Sequence, residues 1–292
     1  MRALRPNGLS TWLVAACLCF AVGAVCAAET SKTLSRIKSE GVIRLGYRSG
    51  AAPFSFKERD GTVRGYSVEL CTRVAEALKK RLGLAALRTE WVGLDADTRL
   101  DAVASGRVDM ECGTTTISLS RYEQVDFSVP IFVDGGTVLV AAASKVERFA
   151  GLDGKRIAVI PGTTTESALK RQLALLGTKS IAVPVKDSAQ GITLLSQGKV
   201  DGFASDRLVL IALRSTAAEP EKWTLLDGDF SFEPYALVVR RDDPDFRLAV
   251  NRALVEIYRS GDIDEVFHRW LGNLGLPGPL LNAMFYLSTL PE

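Results

Sequence analysis

Hydroxyls gathered behind glycines are the groups in this chain best suited to chemistry. In Gly106 to Pro130 (GRVDMECGTTTISLSRYEQVDFSVP) a short strand-like run stops at Cys112-Gly113-Thr114-Thr115-Thr116. Three adjacent hydroxyls after a glycine make a poor core but a good rim for a charged small molecule. They place short donor and acceptor groups beside amides that the glycine leaves approachable. A second run, Gly162-Thr163-Thr164-Thr165, stands before a helix, where amides and hydroxyls point at an anion; helix capping alone also accounts for its threonines. Asp206 closes Val200-Asp201-Gly202-Phe203-Ala204-Ser205 and either meets a ligand or caps the helix 207–212. The single histidine, His268, lies on a late helix far from these groups, so a His-based metal site or a Ser-His-Asp triad has little support. No Walker-type phosphate loop is present, and no cofactor is expected.

Strands must end beneath such groups to hold them. Val42 to Tyr47 and Lys155 to Ile160 read as strands, Val68 to Leu82 as an amphipathic helix, and Thr165 to Leu176 as another. Ser118 or Ser120 caps a short helix around 121–123, and Val125 to Ser128 returns as a strand ended by Pro130. Alternation of this kind predicts an α/β fold with parallel sheets. An internal echo predicts two lobes: LDAVASGRVD (100–109) parallels ITLLSQGKVD (192–201), each a helix end, a glycine, a base, then Val-Asp entering a strand. Ligands of open α/β sheets sit at the carboxyl ends of strands, so two such ends make a cleft. Apolar crossings near 132–141 and 235–239 join the lobes and allow hinge closure. The organisation expected is a leader over 1–28, a first lobe from 29–136 with 237–292, and a second lobe over 137–236 with the hinge strands.

The leader is read from Arg2 and Arg5, an apolar stretch from Leu9 to Val25, and small residues at Ala27 and Ala28, the layout of a cleaved signal peptide. Val14-Ala15-Ala16-Cys17 offers a lipoprotein alternative, but apolar sequence continues to Ala24, which fits the longer signal core. The chain carries 36 Lys+Arg and 34 Asp+Glu. Loss of Arg2 and Arg5 leaves the mature protein near neutral, unlike a nucleic-acid binder. Only Cys71 and Cys112 remain after cleavage. Nothing local fixes their distance, and two buried free thiols are expected rather than a bridge.

Taken in order along the chain, several motifs resemble family 3 periplasmic solute-binding proteins of polar amino-acid ABC transporters, above all the glutamate/aspartate-binding branch. They are Tyr47-Arg48 with Pro53-Phe54-Ser55-Phe56, Gly65-Tyr66-Ser67-Val68-Glu69-Leu70, Glu111 to Thr116, and Arg121 with Asp126-Phe127-Ser128. Gly162 to Glu166 and Leu281-Asn282-Ala283-Met284-Phe285 complete the set. Ser67 departs from it, since the broader family has an acid there. The resemblance implies the type II two-lobe binding-protein fold and a monomer that captures an amino acid in the periplasm. The ligand then passes to an inner-membrane permease driven by a cytoplasmic ATPase. It implies that Arg99 grips the α-carboxylate, the alternative being a surface ion pair with Asp95 or Asp97. Asp206, with Thr114 and Thr116, takes the α-ammonium, Thr163 and Thr164 add donors from the second lobe, and Arg48 faces a distal carboxylate. Phe54 either packs on the ligand's stem or fills the core. Two departures, Ala96 for a serine and Ser188 for a histidine, fall in the side-chain pocket.

An enzyme on the same scaffold is the alternative. Cyclohexadienyl dehydratases, which act on prephenate or arogenate, resemble this family and need a carboxyl acid in the cleft; Glu166 is the nearest candidate, though it also suits a helix N-terminus. A receptor feeding a chemosensor is a third reading.

Overall fold

The computed structural model describes residues 31–291; the expected leader and the Cys17 alternative lie outside them. In chain order, α1 (Lys32–Glu40) leads into β1 (Val42–Tyr47), and β2 (Gly50–Ala51), β3 (Ser55–Lys57) and β4 (Val63–Arg64) form a small antiparallel sheet. Then follow α2 (Tyr66–Arg81), β5 (Arg88–Gly93), α3 (Arg99–Ala104), β6 (Met110–Glu111), α4 (Leu119–Tyr122) and β7 (Val125–Asp134). A second group comprises β8 (Gly136–Ala141), β9 (Arg156–Val159), α5 (Thr164–Leu175), β10 (Ile181–Pro184), α6 (Ser188–Ser196), β11 (Gly202–Asp206), α7 (Arg207–Ser215) and β12 (Trp223–Leu225). The chain returns through β13 (Glu233–Arg240) and ends in α8 (Pro244–Ser260), α9 (Asp262–Leu271) and α10 (Pro279–Ser288).

Two five-stranded sheets result, β5-β1-β6-β13-β7 and β10-β9-β11-β8-β12. The first three strands of each pair in parallel, and the strands at the crossings pair antiparallel. Helices cover both faces, which is why β1 reads as an almost unbroken apolar run rather than an alternating one. Burial of side chains such as Leu70, Val74 and Leu78 of α2 against Leu45 and Met110 stabilises the first half, each by about 1.5–3 kcal/mol. The chain leaves the first sheet at Gly135 and returns after β12, so two crossings join the halves. This is the two-lobe α/β architecture that the sequence predicts.

The internal echo has a shared geometry. Gly106 and Gly198 both take positive φ (77° and 65°) as they stop a helix. Asp109 then donates its amide to Arg44 O and accepts the Arg44 amide on its carboxylate, both at 2.8 Å. Asp201 does the same to Arg156, again at 2.8 Å in both directions. In each lobe the Val-Asp pair locks the entering strand to the first residues of its neighbour, so the sequence repeat is a register device.

Two expectations are corrected. Pro130 does not end its strand: β7 continues to Asp134, because the pairing with β13 slips at Ala236 and leaves Pro130, which has no N–H, at an irregular step. Cys71 and Cys112 are bridged and fully buried, not free. The packing of α2 over β6 brings their Cα atoms to 6.1 Å, within bridging range, and that packing has no local sequence signal.

Candidate functional site

The carboxyl ends of the strands face one another across a cavity. Its lining includes Arg48, Arg99, Thr114 and Thr116 from the first group of elements and Thr163, Thr164 and Asp206 from the second. All seven residues singled out in the sequence therefore meet in one place. Gly113 permits the approach, since a Cβ there would collide with the Glu111 carboxylate and the Arg48 stem.

Arg99 opens α3 and is 3% exposed, far from the surface pairing that Asp95 or Asp97 offers. Its Nε donates to Thr115 Oγ1 at 2.8 Å, while its Nη1 has no hydrogen-bond partner among the described residues. Burial, and then the nearby Arg48 and Arg121 guanidiniums, pull its pKa down to about 9. Arg48 and Arg121 crowd the buried Arg99, outweighing the nearby Glu111 and Asp206, so an anion is in demand there, and a guanidinium answers a carboxylate with two parallel bonds. Glu111 lies near Arg99 and Arg48, its oxygens buried and without a hydrogen-bond partner among the described residues, and burial raises its pKa.

Asp206 ends β11 and stands at the N-cap position of α7, yet its side chain makes no capping bond. Asp134 does that work instead: its carboxylate accepts the amides of Gly135 (2.9 Å) and Leu208 (3.1 Å). Asp206 is thus left for the cavity, held by Thr165 Oγ1 at 2.9 Å. Burial and then the charge of Glu233 raise its pKa to about 6; burial and Asp206 raise that of Asp134 to about 7. Burial outweighs the nearby Arg48, which lowers the pKa of Asp206 only in part.

The threonines divide their work. Thr163 Oγ1 caps α5, accepting the Glu166 amide at 3.0 Å and donating to Ile160 O at 2.8 Å, so its hydroxyl is spent. Thr116 and Thr164 both bond Glu233, at 2.5 and 2.6 Å. Arg121 donates to Thr116 O at 2.6 Å and braces that turn. Glu233 escaped the sequence reading, and Glu111, read only as part of a motif, was given no role in the site: Glu233 lies 117 residues from Thr116, and nothing in the Glu-Pro-Tyr leading an apolar strand connects them.

Other residues lie elsewhere. Phe54 is fully buried among Tyr66, Phe132 and Tyr235 and does not line the cavity. Ser188 does line it, at the start of α6, whereas Ala96 lines a neighbouring groove with Asp95, Asp97 and Lys186. Glu166 binds the Gly162 amide and Lys170, outside the lining, and its pKa is lowered. His268 is exposed on α9. Among the described residues no cluster of His, Cys, Asp and Glu could hold a metal ion.

Comparison with known proteins agrees with the two-lobe fold. Residues 43–273 match the profile of the bacterial extracellular solute-binding proteins, family 3. The chain is 34% identical over 286 residues to the L-glutamate/L-aspartate-binding protein of Pseudomonas aeruginosa, covering 98% of this chain and 93% of that one. It is 30% identical over 262 residues to the glutamate/aspartate import solute-binding protein of Escherichia coli K12, covering 90% and 86%. Among solved structures it resembles AncCDT-1, an ancestral amino acid-binding protein and precursor of cyclohexadienyl dehydratase (TM-score 0.72, 28% identity, 82% of this chain and 99% of that one). It also resembles an ancestral arginine-binding protein bound to glutamine (TM-score 0.71, 26% identity, 80% and 98%).

Proposed function

The chain belongs to the bacterial extracellular solute-binding proteins, family 3, and we propose that it is the amino-acid-binding component of an ABC importer, taking an acidic or polar L-amino acid such as glutamate or aspartate. The observation that carries this is one cavity holding buried Arg99, with a free Nη1, and Asp206, with a carboxylate not used in capping. A zwitterion entering a dry site must have both charges met, because an unpaired buried charge is costly. Arg99 takes the α-carboxylate; Asp206, Thr116 and Thr164 take the ammonium, with Thr114 at the rim. The backbone of Thr163, at the start of α5, faces the anion, and Arg48 takes a distal carboxylate. The lobes, 29–136 with 237–292 and 137–236 with the hinge strands, close over it.

The protein works in the periplasm after loss of residues 1–28, as a monomer, and delivers its ligand to an inner-membrane permease with a cytoplasmic ATPase. It binds without chemistry. Glu166, the sequence candidate for an acid, is held in its charged form by Gly162 and Lys170. Ring aromatisation on incubation with prephenate or arogenate would overturn that part.

The test is a thermal-shift panel of amino acids and dicarboxylates on residues 29–292, refolded to strip carried-over ligand. A ligand at a thousandfold excess over its Kd stabilises by about 4 kcal/mol. A selective shift with glutamate or aspartate is expected; no shift with any amino acid overturns the reading.

A further inference from the structure

Glu233 opens β13 at 1% exposure, and one of its oxygens, Oε2, is shared by two hydroxyls. Thr116 Oγ1 lies 2.5 Å from it and Thr164 Oγ1 2.6 Å, while the two hydroxyl oxygens are 3.1 Å apart. A hydroxyl carries one proton and two lone pairs, and a carboxylate oxygen only accepts. Both protons therefore point at Oε2, and no proton is left for the Thr116–Thr164 contact. Both threonines line the cavity, so each turns only lone pairs toward whatever it meets there.

We propose that Glu233 is a positioning residue that sets the cavity's choice of ligand: by holding both hydroxyls as acceptors, it makes the site select a group with several donors, an ammonium, over a hydroxyl or carbonyl at the same place. A 2-hydroxy acid has one donor where three acceptors wait (Asp206, Thr116, Thr164), and a 2-oxo acid has none. Unmatched buried acceptors are what make polar sites selective. The two threonines come from opposite sides of the cleft, Thr116 after β6 and Thr164 in the first turn of α5, so the preference is complete only when the cleft is closed. The proposal rests on the amino-acid reading of this site.

Glu233→Gln tests it, because an amide offers its own donor and frees a threonine proton toward the cavity. Calorimetric affinities are compared for L-glutamate, 2-hydroxyglutarate and 2-oxoglutarate, or for whichever amino acid gives the largest shift and its 2-hydroxy and 2-oxo analogues. The expected result is a fall of at least tenfold in the preference for the amino acid over its 2-hydroxy analogue. An equal loss for all three ligands would mean that Glu233 merely holds the cleft together, and overturns the proposal. Should Glu233→Gln not fold, Thr164→Val removes one acceptor at constant shape, with the same fall expected and an unchanged preference again overturning it. If the wild type binds no amino acid at all, the amino-acid reading itself fails, and the proposal with it.

Discussion

Arg99 and Asp206 bring opposite charges into a space where neither is well solvated, and each arrives with its titration displaced. Arg99→Ala and Asp206→Ala should each weaken binding by about 2–5 kcal/mol in calorimetry, the range for removing one partner of a desolvated charge pair. Wild-type affinity in both variants would sink the assignment. The acid also predicts a pH dependence. Asp206 titrates near 6 in the fold against an ordinary 3.8, so the folded protein takes up a proton first as pH falls. In the free protein this contribution to stability is full below about 3.8, is lost as pH rises through about 6, and does not change further above that. Binding an ammonium needs the ionised form, so affinity should drop below pH 6, by up to tenfold per unit. Proton release should accompany binding near that pH, visible in two buffers of different ionisation enthalpy. In Asp206→Asn the release should shrink, and Asp134, which the Asp206 charge helps to raise, should titrate lower than in the wild type. Of the seven residues that line the cavity, the threonines and Asp206 stood out because they follow a glycine or mark a helix start or strand end, whereas Arg48 and Arg99 came only from the resemblance to the solute-binding family. Glu233 and Glu111 were not, since a carboxylate's value lies in partners distant along the chain.

At the scale of elements, what the sequence shows is periodicity and punctuation. The strand read at Val42 to Tyr47 is β1, and the helix read from Thr165 to Leu176 is α5, one residue earlier. The strand Val125 to Asp134 was cut short at Pro130 because a proline forbids a regular ladder but not an irregular one. The Val-Asp echo was legible as a repeat, while its purpose, fastening Arg44 and Arg156, appeared only with the strands side by side. Asp109→Ala leaves the part-buried Arg44 amide without its acceptor and Arg36 without its buried partner, and should cost about 1–3 kcal/mol in urea unfolding. The Cys71–Cys112 bridge closes a loop with a sequence separation of 41, ties α2 to the strand that leads into the threonine turn, and constrains the unfolded chain by about 4 kcal/mol. Replacing both cysteines by alanine should lower stability by an amount approaching that. Unchanged stability would show that the bridge contributes nothing beyond packing.

At the scale of the molecule, the cavity exists only while two halves meet, since Thr116 and Thr164 reach Glu233 from different sides. Ligand should therefore shrink the particle, and small-angle scattering of stripped protein should show a smaller radius of gyration on saturation. An unchanged radius would mean that the free protein is already closed. The two-lobe plan was legible from alternation and the echo, but the order of strands in each sheet was not, because sheet order depends on packing between distant segments. That order carries a consequence for how the protein is made. In the first sheet β13 lies between β6 and β7, although 98 residues separate it from the end of β7, and every strand of the second sheet lies in that interval. A chain emerging from its N-terminus thus completes the strands of the second sheet at Leu225 while the first sheet still lacks β13, the strand that joins β6 to β7. The half that is begun first is finished last, and until residue 240 has emerged β7 has no neighbour in the first sheet to pair with.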